Sequence, residues 1–190
     1  MACNRFCSSI NNNSIIVIGL CENKQEVSNI ISEFNYWNQE TIQEIVSIPQ
    51  ISPNIEEVNS INIVAKILNV KAIKTPRSQE VLKDGNIKLF ENLEGKIVTG
   101  RKLIIEGVLC QMIEYTTSDL YDSLKTMTVY NPFSSYIVIP KELNVNGQIL
   151  DTLSVNFDVS TCIEDLDITV LDCRSILKTL AILFYAVPNI

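Results

Sequence analysis

Six cysteines are the residues best placed to do chemistry: Cys3, Cys7, Cys21, Cys110, Cys162 and Cys173. Cys3 and Cys7 have three residues between them, which is not a zinc-binding spacing. The other four are scattered, so a four-thiolate site would need long-range convergence. The sequence contains no histidine. That removes the Ser–His and Cys–His nucleophile pairs, the usual general base near neutral pH and the commonest zinc ligand. No thiol has a base to activate it, so the chemistry left to these residues is oxidation to disulfides. Three states stay open: cross-links between chains, bridges within one chain, and reduced thiols.

Other chemistry is weaker. Glu164, Asp165 and Asp167, with Asp172 nearby, could supply oxygens to Ca²⁺. On an alternating strand, however, Asp165 and Asp167 are simply the polar face, and no metal site is assigned. Glu106 and Glu114 could be a glycosidase pair, but nothing marks them as facing one cleft. No catalytic residue and no cofactor is therefore expected, and the chain reads as a non-enzyme. Phe34, Tyr36 and Trp37 form either a ligand platform or, more in keeping with such clusters, a plug in the core. Lys–Asn isopeptide links are chemically open in a chain with 19 asparagines, but no pair can be named from sequence.

The elements that must hold these residues read mostly as strands. Of the 190 residues 46% are hydrophobic and 19% charged, enough for a sizeable core. Isoleucine occurs 28 times, and β-branched side chains suit a pleated surface. Residues 1–13, with Ser8, Ser9 and Asn11–Asn13, read as a flexible arm. Ile15–Ile18 is a short strand closed by Gly19. Val27, Ile30, Ile31 and Phe34 fall at helical spacing, which predicts a small helix over 24–35. The segment from Ile42 to Ile48 fits helix or strand, and a loop with Pro49 and Pro53 follows.

Alternation then takes over. Ile63, Ala65 and Ile67 share one face, with Val64, Leu68, Val70 and Ala72 mostly on the other. Residues 97–115 form the longest strand-like run, with Leu103, Ile105, Leu109, Ile113 and Tyr115 on one face. Gly107 within it hints at a bulge. Asn146–Gly147 marks a turn, and residues 172–175 a hairpin turn. The sum is an all-β chain, an antiparallel β-sandwich of jelly-roll-like or Ig-like type, with the arm (1–13), a strand-and-helix joint (14–35) and a β domain (36–190).

Net charge is -7 with no basic stripe, which argues against nucleic-acid binding. The longest apolar stretch, from Leu180 to Val187, falls far short of the roughly 20 residues of a membrane span, and no membrane partner is expected. The first residues lack a signal peptide's apolar core, so synthesis in a cytosol is expected.

Several segments together resemble a known family. They include Ala72-Ile73-Lys74-Thr75-Pro76, the run from Thr99-Gly100-Arg101-Lys102 to Glu106-Gly107-Val108-Leu109, and Gln111-Met112-Ile113-Glu114-Tyr115. Pro132-Phe133-Ser134-Ser135-Tyr136 and Leu171-Asp172-Cys173-Arg174-Ser175 complete the set. In order and spacing, from about Tyr36 to Val187, this resembles the SPOCS domain of clostridial spore coat and exosporium proteins. In that family the domain often accompanies a LysM module or occurs in tandem; here it occurs once. The arm with Cys3 and Cys7 lies outside the family pattern.

The resemblance implies a spore-surface location (coat, exosporium or appendage), reached from the mother-cell cytosol, with maturation in oxidising surroundings. On that basis the cross-linking state is favoured. An extended arm reaches on the order of 40 Å, enough to bring Cys3 and Cys7 to a neighbour. Cys21 after the first strand, Cys162 at a strand start and Cys173 in the hairpin turn beside the charge of Arg174 are the candidate partners. Cys110, alternating with Val108 and Met112, reads as a core thiol. The expected function is a structural subunit that self-assembles into a fibre or lattice locked by intermolecular disulfides. The alternative is a non-polymeric module that recruits other spore coat proteins.

Overall fold

The structure, a computed structural model, describes residues 15–93, 96–118 and 123–190. The arm, with Cys3 and Cys7, lies outside the described residues. Among the described residues eleven strands and one α-helix follow in chain order: β1 (Ile16–Ile18), α1 (Lys24–Phe34), β2 (Trp37–Ser47), β3 (Ile55–Arg77), β4 (Gln79–Val81), β5 (Ile87–Leu89), β6 (Thr99–Thr117), β7 (Leu124–Val138), β8 (Glu142–Val145), β9 (Gln148–Asp151), β10 (Asn156–Asp172) and β11 (Ser175–Asn189), with a short 3-10 helix (Thr152–Ser154) between β9 and β10.

Two sheets pack face to face. The first has the order β1-β3-β6-β7 and the second β10-β11-β2. All neighbours are antiparallel except β1, which runs parallel to β3. Inward residues of both sheets make one core, including Ile61, Ile63, Leu103, Ile105, Ile113 and Ile137 from the first and Ile168, Ile176, Leu180, Ile182 and Phe184 from the second. The all-β sandwich expected from the isoleucine-rich alternation is the fold observed. Two small hairpins, β4–β5 and β8–β9, project from the ends, the latter turning at Asn146 and Gly147, both at positive φ.

Three differences from the sequence reading have physical causes. The ambiguous segment 42–48 belongs to the strand β2, because pairing with β11 along its whole length satisfies its backbone. In β3 a bulge between Ile67 and Asn69 resets the alternation. Val70 and Ala72 therefore face inward with Ile63 and Ile67, not outward. Residues 124–130 and 136–139, which the sequence offers as two separate runs, fall mostly in one strand, 124–138, through Pro132, which β7 tolerates because it is a sheet edge.

Gly107 stands opposite the bulge in β3. A Cβ there would collide with the Phe133 ring and the Lys66 carbonyl oxygen. The glycine makes room for Phe133, whose ring meets Phe184 of the other sheet at 5.4 Å between centroids. A missing side chain in one strand thus lets an aromatic bridge the two layers.

The two sides of the sandwich close differently. On the β3/β10 side the chain from Ile16 to Cys21 runs as a strap from one sheet to the other. It pairs with Ser60–Asn62 of β3, then Cys21 N donates to Ile163 O of β10 at 2.8 Å. Gly19, at φ +105, presses against the Ile63 carbonyl where any side chain would clash. On the β2/β7 side the facing edges meet through polar side chains.

Candidate functional site

The strap fixes the first pair of cysteines. Cys21 and Cys162 are bonded to each other within the chain, with Cα atoms 5.1 Å apart. Cys162 is on the outer face of β10, where Val27 of α1 and Leu183 bury it. The disulfide thus pins the strap and the start of α1 to the second sheet. The sequence offers both as candidate partners for a neighbour's arm; in the structure they bond to each other, a correction to that expectation, because the Cys21 backbone of the strap joins β10 beside Cys162. Cys173 lies in the β10–β11 turn as expected, half-buried and outside that bond. The Arg174 guanidinium donates to Asn54 Oδ1 (2.7 Å), Ser52 O (3.1 Å) and Pro49 O, so it clamps the loop between β2 and β3 onto this turn.

Cys110 is also corrected. It sits on the outer face of β6, half-buried, in register with Val64 and Tyr130. The alternation with Val108 and Met112 was read properly, but that is the face the second sheet does not cover. Val64, Leu68, Met112 and Tyr130 are exposed on or beside it.

The acidic residues do not converge. Asp165 and Asp167 pair with Ala181 and Thr179 on the outer face and are exposed. Glu164, at the bulge, accepts from Gln39 Nε2 at 2.5 Å. Asp172 Oδ1 accepts from the Arg174 backbone N–H at 2.7 Å. Among the described residues no group of three or more potential metal ligands comes together. Glu114 accepts from Ser60 and Glu106 from Asn69, each across the β3–β6 pair. Of the aromatics, Tyr36 is the plug, edge-on to Phe157 at 6.2 Å, while Trp37 is half-exposed.

The cluster with the most chemical potential was not picked out by sequence. Lys178 on β11 points into the core and is 2% exposed. Its Nζ donates to Glu44 Oε2 of β2 at 2.8 Å and to Gln111 Oε1 of β6. Gln111, also 2% exposed, donates from Nε2 to the same Glu44 oxygen at 3.1 Å. Three strands from two sheets therefore contribute an amine, a carboxylate and a carboxamide to one closed ring of hydrogen bonds. Burial pushes the Lys178 amine below its ordinary range, although Glu44 works against this. Burial also pushes the Glu44 carboxyl up. The bonds from Lys178 and Gln111, the Lys178 charge and a bond from Asn131 outweigh it and hold the group below its ordinary value. Further along the seam, Glu40 Oε1 accepts from Asn38 and from Ser135 Oγ, both at 2.8 Å. The signal was present in the sequence as Glu44 and Lys178 at inward positions of alternating strands. Only the pairing of β2 with β11 made it readable.

A basic cleft of about 480 Å³ opens at one end of the first sheet, lined by Thr75, Lys96, Thr99, Arg101, Lys102 and Tyr136 among others. Arg101 is buried and bound to Asp151 at 2.9 Å, while its Nε and Thr75 Oγ1 have no partner among the described residues. Lys102 Nζ lies over the Tyr136 ring at 3.6 Å. Among the described residues no helix is long and apolar enough to cross a membrane.

Comparison with family models, with curated proteins and with solved structures finds no match to this chain.

Proposed function

We propose that this chain is a structural subunit of a spore surface layer that self-assembles into a fibre or lattice, with Cys3 and Cys7 joining it covalently to a neighbour. The spore location rests on the resemblance of the β domain to SPOCS modules. The observation that supports assembly is the edge of β3. Among the described residues its outer side is paired only at Ser60–Asn62, by β1, and residues 64–77 have no strand beside them. An open edge is a row of backbone donors and acceptors that takes an extended segment from another chain. An extended cysteine-bearing arm is a fitting occupant. The alternation of Val64, Lys66 and Leu68 offers it apolar and polar positions in turn.

The strap itself does not serve this role, because β1 completes its own chain's sheet. With Cys21 bonded to Cys162, an arm thiol reaches either sulfur only by exchange, releasing the other as a thiol. Direct joining of two thiols needs a two-electron oxidant, for which dioxygen suffices. Once joined, a polymer cannot dissociate until thiols are restored, so its persistence is kinetic.

The test is gel electrophoresis of oxidised protein boiled in detergent without reductant, with electron microscopy of the same sample. A ladder and regular fibres or sheets are expected, and both should be lost in the C3S/C7S double variant. A single-chain band and uniform small particles from wild-type protein would reject polymerisation and leave the recruiting module. A double variant that stays linked would reject the arm as the lock.

A further inference from the structure

The ring of Lys178, Glu44 and Gln111 is more than a buried ion pair. The geometry points to a self-forming isopeptide bond between Lys178 Nζ and Gln111 Cδ, with Glu44 as the group that moves the protons. The bond would join β11 to β6, and so one sheet of the sandwich to the other. It stands independently of the assembly and location proposed for the chain.

Three observations carry it. First, Nζ donates to Gln111 Oε1, which holds the amine in hydrogen-bond contact with the carboxamide whose carbon it must attack. Second, one carboxylate oxygen, Glu44 Oε2, accepts from both the attacking nitrogen (2.8 Å) and the leaving nitrogen Nε2 (3.1 Å). A general base and acid must touch both atoms, and this one does so without moving. Third, apolar side chains flank both reacting groups. In the first sheet Ile63 and Val129 flank Gln111 in register, and in the second Ile168 flanks Lys178. Lys178 and Gln111 are each 2% exposed, so water, the competing nucleophile, has little access to the two reacting groups, while Glu44 keeps 19% of its side chain open at the edge of β2. Burial favours the neutral amine, whereas the bonds from Lys178 and Gln111 hold Glu44 towards the carboxylate, the form that accepts the first proton.

The step balances without any outside reagent. The Lys178 ammonium passes one proton to Glu44 Oε2, giving an amine and a carboxylic acid. The amine lone pair attacks Cδ, and the Nζ–Cδ bond forms. Glu44 gives its proton to Nε2 as the Cδ–Nε2 bond breaks, and takes a second proton from Nζ. Ammonia leaves, one hydrogen stays on the new amide, and Glu44 ends as the acid. Holding the groups in contact supplies the effective concentration that makes such an amide exchange feasible. An ordinary salt bridge would need Glu44 and Lys178 but not a carboxamide shared by both. The asparagine suggested by composition as the partner of such a link is here a glutamine, and the nearby Asn131 bonds to the Glu44 carboxylate.

The experiment is intact mass spectrometry of purified full-length protein after complete reduction and denaturation, followed by peptide mapping. The expected mass is that of the sequence less one ammonia, with a branched peptide joining Lys178 to Gln111. Bonded chain should also migrate faster than unbonded chain in detergent gels, since the link closes a loop over 67 residues. Glu44→Gln keeps both reactants and the side-chain size but removes the proton carrier. It should fold, as read by circular dichroism, and retain its full mass. Lys178→Met provides the unbonded reference. Wild-type protein that is folded yet keeps its full mass would overturn the proposal. So would a branched peptide ending at Asn131, or an E44Q variant that loses ammonia as completely as wild type.

Discussion

Breaking the Cys21–Cys162 bond should free residues 15–34 before the sandwich itself unfolds. The bond closes a loop of 141 residues. In the chain-entropy account that closure is worth about 5 kcal/mol at 25 °C against a fully unfolded competitor. A nearer competitor exists, however. The strap is held by three residues of parallel pairing, the Cys21–Ile163 hydrogen bond, the small cluster around Val27 and Leu183, and the packing of Ile15, Val17 and Leu20 against the main core. Burying Val27 and parts of Ile15, Val17, Leu20 and Ile31 supplies about 5–8 kcal/mol. Ordering the strap costs more than that, and an isolated helix as short as α1 is marginal in water. Once the bond is cut, local detachment should therefore have a free energy near zero. The global midpoint should fall by less than the full loop-closure value, because the detached form shares the loss.

Hydrogen exchange of wild-type protein with and without reductant, and of C21S/C162S, reads this directly. Protection of amides in α1 should collapse, while β6 and β11 keep most of theirs. Trp37 fluorescence, next to the end of α1, should change at lower urea than the circular dichroism of the sheets. Unaltered protection across α1 after verified reduction would refute the reasoning. It would mean that non-covalent contacts alone hold the strap. Detachment also uncovers Ser60–Asn62 and lengthens the open edge of β3, so reduction before assembly should speed strand addition by another chain.

Other perturbations test the packing. Gly107→Ala sets a Cβ against the Phe133 ring and the Lys66 carbonyl oxygen. It should cost about 1–3 kcal/mol in urea unfolding, as overpacking does; Gly107→Ala with Phe133→Leu should recover part of that loss. Phe184→Ala removes a fully buried ring that meets Phe133, and chemical denaturation should show a loss of about 3–5 kcal/mol. Asp151 is held below its ordinary range by the Leu153 backbone N–H and then by Arg101. Its contribution is present above the ordinary aspartate value and is lost as pH falls through the lower folded value. The Leu153 amide shift followed by NMR should report a titration centred below the ordinary value, abolished in Asp151→Asn.

Local rules made much of this molecule legible. β-branched alternation declared strands, helical spacing placed α1 within a residue of its end, and Asn146–Gly147 and Asp172–Ser175 marked turns. Inward and outward sets along β6 were correct because a strand has only two faces. What alternation could not say is which face another sheet covers. Alternation therefore points to a core place for Cys110, and it puts Val70 and Ala72 on the wrong side of a bulge that no single strand announces.

Composition and period determined that the chain would be a β-sandwich, since they depend on neighbours a few residues apart. The tertiary structure decided which groups meet across long separations. It paired Cys21 with Cys162 by way of a strap, and it closed Lys178, Glu44 and Gln111 into one buried ring. Such meetings depend on sheet order and strand register. Both are settled by the cooperative packing of the whole core rather than by any stretch of sequence read alone.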